Sequence, residues 1–340
     1  MKSNVKFGRS AFAVMAGAAL LRTVLKRRRH YSLAGKNVVI TGGSRGLGLV
    51  LARECLRRGA SVAILARDKV ELSRAHSELS RRGQKVLAMP CDVTDRSQVS
   101  RVISEVSEEL GPIHVLINNA GLIQVGPMDA MTLDDYRESL EIHFWAPAYA
   151  CLAVLPEMRK RREGRIVNIS SIGGKVSVPH LLPYSVGKFA LAGFSEGLRA
   201  ELLKDRVYVT SVYPGLMRTG SPRNADFKGK HRAEHAWFSV SGSLPGLTVS
   251  AEKAAREILN ACESGQAELI VSAPAKAAIL FKHLFPELSS EVLGTAARLL
   301  PGPGANGKRK CKGKESSSRV TNSWVTLLTR RAALNNNEVA

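Results

Sequence analysis

Cysteine chemistry is nearly absent from these 340 residues. The five cysteines, Cys55, Cys91, Cys151, Cys262 and Cys311, are odd in number and widely spaced, with no CxxC pair. That excludes a disulfide framework and a structural zinc site, and fits a reducing compartment. His231 and His235 lie four apart, but no third ligand is near them, so a polar loop is favoured over a metal site. Aromatic residues are also scarce, at 5%. Acidic residues are missing altogether from residues 1–34, which carry eight Lys/Arg, and residues 304–340 set eight against Glu315 and Glu338. Of the formal net charge of +21, only +7 therefore belongs to the body between them. Basic charge at the ends, without interleaved aromatics, disfavours a nucleic-acid surface and points to anionic lipid headgroups or simple solubility.

No apolar run reaches the roughly 20 residues needed to span a bilayer. The longest candidate, residues 10–25, is interrupted by Arg22 and flanked by Lys2, Lys6, Arg9 and the run Lys26–Arg29. It reads as a membrane anchor or interfacial helix, or as an organelle transit peptide. A secretory signal is disfavoured because the basic cluster follows the apolar run. Membrane association on the cytoplasmic side is the expectation. Past Pro301-Gly302-Pro303-Gly304, the stretch ANGKRKCKGKESSSR has no apolar periodicity and reads as a flexible basic tail, with one amphipathic helix or a disordered terminus over 324–334. The expected organisation is an N-terminal segment 1–34, one domain over 35–300 and a tail over 301–340.

What is present is alternation. Seven short runs rich in Val, Ile and Leu (37–41, 61–65, 85–89, 113–118, 165–170, 207–212 and 268–272) are separated by segments of helical period. Such runs mark strands buried on both faces, and their alternation with helices predicts an α/β, Rossmann-type doubly wound parallel sheet. The first run opens into Thr41-Gly42-Gly43-Ser44-Arg45-Gly46-Leu47-Gly48 and a helix. Glycine there lets the backbone turn tightly and approach a pyrophosphate, which the helix N-terminus stabilises. The second strand ends in Ala66-Arg67, without the carboxylate that would hold two ribose hydroxyls. Arg67 and Arg45 converging on a 2′-phosphate would select NADP (NADPH) over NAD. In the alternative, Arg67 pairs with a neighbouring acid such as Asp68 or Glu71.

Ser171 ends the fifth strand, and Tyr184 and Lys188 follow at a spacing that puts both on one helix face. A carbonyl receiving hydride needs a proton at its oxygen. A phenol close to an ammonium has its pKa lowered toward a working range, and a serine hydroxyl can bond the same oxygen.

Together these residues resemble the classical short-chain dehydrogenase/reductase family over residues 35–272. The match runs through the 41–48 loop, Cys91-Asp92-Val93, Asn118-Asn119-Ala120-Gly121, Ser171, YSVGK at 184–188 and the stretch Pro214 to Thr219. The resemblance implies that Gly42, Ser44, Arg45, Gly46, Leu47 and Gly48 cradle the cofactor. Asp92 and Val93 would border the adenine, and Asn119, Ala120 and Gly121 would line the channel. Pro214, Gly215 and Thr219 would hold the nicotinamide and pyrophosphate, with Tyr184 and Lys188 touching cofactor as well as substrate. It also implies a homodimer or homotetramer. One position departs: His143 stands where the family has an asparagine whose backbone carbonyl helps hold a water linking the lysine to solvent. The histidine is expected to keep the backbone role, or to carry protons on its imidazole.

Residues 215–249 would form a lid. Phe227, Trp237, Phe238, Leu244 and Leu247, with Leu181, Leu182 and Ile123, would give it an apolar wall. The leading expectation is an NADPH-dependent reductase of a lipophilic ketone or aldehyde, such as a sterol, 3-keto lipid or isoprenoid. The rivals are a catalytically weak nucleotide-sensing scaffold recruited through its basic tails, and an isomerase or dehydratase on the same frame.

Overall fold

The structure, a computed structural model, describes residues 27–304 and 307–339, together with Gly17, Thr23 and Val24. Most of the 10–25 run, and with it the expected membrane segment, lies outside these residues. Among the described residues no helix is long and apolar enough to cross a membrane.

The seven apolar runs form β1 (Asn37–Thr41), β2 (Ser61–Ala66), β3 (Val86–Pro90), β4 (Val115–Asn118), β5 (Gly164–Ile169), β6 (Val207–Pro214) and β7 (Glu268–Val271). They make one parallel sheet in the order β7-β6-β5-β4-β1-β2-β3. Strands β1 and β4 are buried at every position, the consequence of helices on both faces. The strand order reverses between β1 and β4, which opens a crevice beyond their carboxyl ends.

The first helix, α1 (Gly46–Arg57), is buried along most of its length because it lies between the sheet and a later helix over 251–263. Side chains from both helices, including Leu49, Leu51, Cys55, Ile258 and Leu259, share one core with β1 and β2. The next two helices are α2 (Lys69–Leu79) and α3 (Arg96–Leu110), capped by Asp68 and Asp95, whose carboxylates accept the first free backbone N–H groups. The helical stretch between β4 and β5 is not continuous. A capping box of Thr132 and Asp135 starts α4 (Leu133–Leu140), a π-helical turn follows at Glu141–Trp145, and α5 (Ala146–Arg161) resumes. Such a turn locally widens the hydrogen-bond ladder and is common at functional sites.

Residues 307–339 overturn the expected flexible tail. Cys311–Lys312 pairs antiparallel with Asp226–Phe227, which pairs in turn with Gln124–Val125, forming a small second sheet whose Val125 and Phe227 share an apolar cluster with Tyr184. Two basic residues of this stretch, Lys310 and Lys312, are paired with acids of the body. Lys310 reaches Glu138 and lies 3.6 Å from Asp135, and Lys312 lies 2.7 Å from Asp226. Composition alone could not reveal these partners, which lie roughly a hundred residues or more away. The helix expected over 324–334 appears as a short 3-10 turn at Trp324–Thr326 followed by a helix over Leu327–Asn335. His231 and His235, expected in a polar loop, sit instead on the helix His231–Ser241, where their Nδ1 atoms bond Ser316 Oγ and O at 2.9 and 3.1 Å. No group of three metal-ligating side chains occurs among the described residues.

Lys228 and Asp135 form a buried ion pair at 2.5 Å beneath this lid. Lys228→Ala leaves the carboxylate with Lys310 at 3.6 Å and two hydrogen bonds from Thr132, so the loss should fall at the low end of the range for breaking a buried pair, about 3 kcal/mol. Urea unfolding followed by circular dichroism measures it, and the double variant Lys228→Met/Asp135→Asn, which keeps an acceptor for the Thr132 cap, should recover part of the loss.

Candidate active site

The crevice at the β1–β4 reversal is held open by one cluster of hydrogen bonds. Thr41 Oγ1 accepts the backbone N–H groups of Asn119 and Ala120 at 3.0 and 3.1 Å. The Asn119 side-chain amide donates to the carbonyls of Thr41 and Gly42, both at 3.1 Å. The β1–α1 loop is thereby fixed against the end of β4. Gly42 sits at φ +65°, and a Cβ there would lie 2.9 Å from Ala120 Cα. A Cβ on Gly48 would run into the Gly42 carbonyl. The glycines are thus required by the fold of the loop itself, before any ligand enters. At the start of α1, Arg45 provides no side-chain cap, which leaves a helix N-terminus lined by backbone donors. These features fit a dinucleotide pyrophosphate.

The two arginines do not meet. Arg45 pairs with Glu71 at 2.8 Å, whereas Arg67 is 72% exposed and lies 3.9 Å from Asp92. Neither acid proposed for Arg67 is its partner, because Asp68 is turned into the cap of α2 and Glu71 is held by Arg45 and Ser44. Asp92 also accepts the backbone N–H and hydroxyl of Thr94 at 3.0 and 2.7 Å, and Val93 is buried beside it. At the far end of the crevice, the Gly215 N–H donates to the Val271 carbonyl at 3.2 Å, which fixes the chain just past Pro214. Thr219 is buried, and its hydroxyl accepts the Ser221 N–H at 3.3 Å.

Ser171, Tyr184, Lys188 and His143 come together. Helix α6 (Leu182–Leu202) begins with a proline in its first turn and carries Tyr184 and Lys188 on one face. Gly187 between them permits close packing, since a Cβ there would sit 2.7 Å from Ser139 Oγ and 3.0 Å from His143 Cβ. Ser171 caps the 3-10 turn Ile172–Gly174, its hydroxyl accepting the Gly173 N–H at 3.0 Å. Lys188 is buried and donates from Nζ to the Ile169 carbonyl at 2.8 Å, with Nζ 5.7 Å from the centre of the Tyr184 ring. The His143 ring stands edge-on to Tyr184 at 5.2 Å between centroids.

Burial governs the electrostatics here. It pushes the Lys188 ammonium down to about 7. It raises the Tyr184 phenol, with a hydrogen bond from Ser171 pulling the other way. The expected lowering of Tyr184 by an ammonium neighbour is therefore absent, because Lys188 is itself desolvated and turned toward Ile169. Burial, with Lys188 adding to it, holds the His143 imidazole well below its usual range. The ring is therefore neutral near pH 7. Its Nε2 lies 2.9 Å from the Leu122 carbonyl, which assigns the proton to that nitrogen and leaves Nδ1 as a buried acceptor without a partner.

On the substrate side, Val125, Leu181, Ala225, Phe227 and Phe238 form an apolar cluster joined by Ile123, Val178, Tyr184 and Trp237. Leu244 and Leu247, expected in this wall, are exposed at 37% and 46%. Leu182 is only partly buried and lies outside the cluster. One polar contact gave no sequence signal. Buried Glu234 bonds His180 Nδ1 at 2.8 Å and accepts the Trp237 indole N–H at 2.6 Å, tying the lid to the loop before α6.

Comparison with known proteins accords with this geometry. Residues 36–228 match the family model for short chain dehydrogenases. The chain belongs to the short-chain dehydrogenase/reductase family, whose members are oxidoreductases acting between CH–OH and C=O. Among curated relatives, a 3-dehydrosphinganine reductase of Danio rerio is 37% identical over 187 residues, covering 54% of this chain and 56% of that protein. The chain thus spans little more than half the length of the sphingoid-base reductases it matches. A short-chain dehydrogenase structure from Streptomyces avermitilis has a TM-score of 0.66 and 30% identity, covering 77% of this chain and 97% of its own. The L-sorbose reductase of Gluconobacter frateurii, solved with NADPH and L-sorbose, has a TM-score of 0.63 and 26% identity, covering 70% and 95%.

Gly48→Ala should weaken dinucleotide binding by more than about tenfold, or 1.4 kcal/mol. Titration of NADPH fluorescence reads this directly, and unchanged affinity would remove the loop from the binding site.

Proposed function

We propose that this chain is an NADPH-dependent reductase of a lipophilic ketone or aldehyde. The observation that carries the reading is the convergence of Ser171, Tyr184 and Lys188 beside an apolar wall, at the far end of a crevice that opens on a phosphate loop. A bound nicotinamide supplies hydride to the carbonyl carbon. Tyr184 gives its phenolic proton to the carbonyl oxygen, and Ser171 donates a hydrogen bond to that oxygen. Lys188 turns from the Ile169 carbonyl to support the phenolate and return the proton. The roles of Asn119, Ala120, Gly121, Pro214, Gly215 and Thr219 in lining the cofactor channel belong to the same reading.

NADPH is favoured over NADH because Ala66 leaves no carboxylate at the tip of β2, while Arg45 and Arg67 flank that tip. For Arg45 to receive a 2′-phosphate it exchanges Glu71 for the ligand. The lipophilic substrate rests on the cluster around Phe227 and on the sphingoid-base reductases among the relatives. His143, held neutral, serves as a hydrogen-bond acceptor for water near Lys188 rather than as a proton carrier. Membrane contact through residues 1–34 and assembly as a homodimer or homotetramer complete the proposal.

Tyr184→Phe should lower turnover by at least about a hundredfold, within the usual contribution of general acid catalysis, while leaving NADPH binding intact. A panel of steroids, long-chain 3-keto lipids and small ketones, followed by NADPH absorbance, tests activity and substrate class together. Equal turnover by both proteins would overturn the assignment. Reduction should decline as the pH rises through about 7, where Lys188 loses its proton. Below that value the ammonium is present. A kcat/KM profile lacking this inflection would remove Lys188 from proton return.

A further inference from the structure

The anion seat at the phosphate loop is in contact with the chain's own segment Asn335–Val339. The Asn336 carbonyl accepts the Gly46 N–H at 2.9 Å, a donor at the open end of α1. Asn337 lies across the loop, its side-chain amide donating to the carbonyls of Ser44 and Glu71 at 2.9 and 3.0 Å, while its Oδ1 accepts from Arg74 Nε at 2.9 Å. Arg53 anchors the approach, bonding Asn336 Oδ1 at 2.9 Å and the Asn335 carbonyl at 2.7 Å. The Glu338 carboxylate then enters the loop. It lies 3.7 Å from Arg45 Nε and accepts a hydrogen bond from Asn224. A Cβ on Gly46 would stand only 2.6 Å from its Oε1. Glu338 and Asn336 are both buried, so a dinucleotide cannot reach these atoms while the segment is seated.

A backbone carbonyl and a carboxylate are hydrogen-bond acceptors, as pyrophosphate oxygens are. They are offered to the same class of donors, at the place where a helix N-terminus favours an anion. We propose that residues 335–339 are an autoinhibitory latch that competes with the dinucleotide for the phosphate loop. The proposal rests on the assignment of Gly42–Gly48 as that loop.

Two features of the seated segment offset part of these contacts. Asn336 Nδ2 is buried without a partner, and Asn337 adopts a left-handed backbone at φ +57°. A cavity of about 290 Å³ lies alongside the segment, bounded by Gly220, Arg223, Ala333 and Val339. Burial raises the Glu338 carboxyl to about 7 against the pull of Arg45, so the seated group carries less than a full charge near neutrality. A pyrophosphate brings more charge to the same seat. Its binding therefore displaces the latch, and the latch lowers apparent cofactor affinity by the fraction of molecules left open.

The test uses the full chain with Glu338→Ala and Asn337→Ala, singly and together, and a chain stopped after Leu334. NADPH is titrated by fluorescence, and its KM is measured on whichever carbonyl the panel identifies. If the latch is seated in nine molecules of ten, its removal tightens NADPH binding and lowers its KM by about tenfold. Turnover at saturating NADPH stays constant. A peptide of residues 333–340 added to the shortened chain raises the KM for NADPH without changing kcat. Affinity that is unchanged in every variant overturns the latch while leaving the loop assignment standing. Weaker binding also overturns it, since the segment would then clasp the cofactor rather than compete with it. If Gly48→Ala binds NADPH as the parent does, the loop assignment falls, and the latch falls with it.

Discussion

The reversal of strand order between β1 and β4 is the constraint on which the rest of this molecule depends. Two adjacent parallel strands whose connections leave in opposite directions cannot close their carboxyl ends, and the resulting gap is the cofactor crevice. The Thr41 hydroxyl and the Asn119 amide bridge that gap with four hydrogen bonds. They fix the phosphate loop on one side to the strand that leads toward Gly121 on the other. Every later distance is referred to this stitch. The His143 ring packs against Gly121, and Lys188 and Tyr184 pack against His143. The chain of contacts from Thr41 thus ends at Tyr184 and Lys188.

Much of this was legible in the chain. The seven strands followed from runs of Val, Ile and Leu too apolar for a sheet with a wet face, and each formed within a few residues of its expected place. The loop at 41–48 was readable because its glycines fall between a strand and a helix, a position where their spacing has mechanical meaning. Tyr184 and Lys188 could be paired because a helix turns local spacing into proximity. What stayed hidden was non-local. Residues 307–316 looked like a solvated basic run because the acids that pair with them, Asp135, Glu138 and Asp226, belong to distant stretches of chain. Arg45 and Arg67 looked alike in sequence, yet Glu71 claims one and Asp92 lies near the other.

The electrostatics of the site were the least legible part. Proximity of a lysine to a tyrosine suggests a lowered phenol, but that holds only if the lysine keeps its charge and faces the ring. Lys188 is desolvated and turned to a backbone carbonyl, so burial sets both groups. The same burial acts on His143. A surface histidine titrates near neutrality, whereas this one is neutral and presents a bare nitrogen to the interior.

The small sheet that joins Gln124–Val125, Asp226–Phe227 and Cys311–Lys312 has a bearing on the order of folding. The main sheet is complete once β7 has been made, but the lid needs a strand that follows β7 by some forty residues. Its pairing with Asp226–Phe227 closes a long stretch of chain, as does the pairing of Gln124–Val125 with the same strand. During vectorial synthesis the residues of the crevice are therefore made first, and the strand that completes the cover over the apolar wall is made after them.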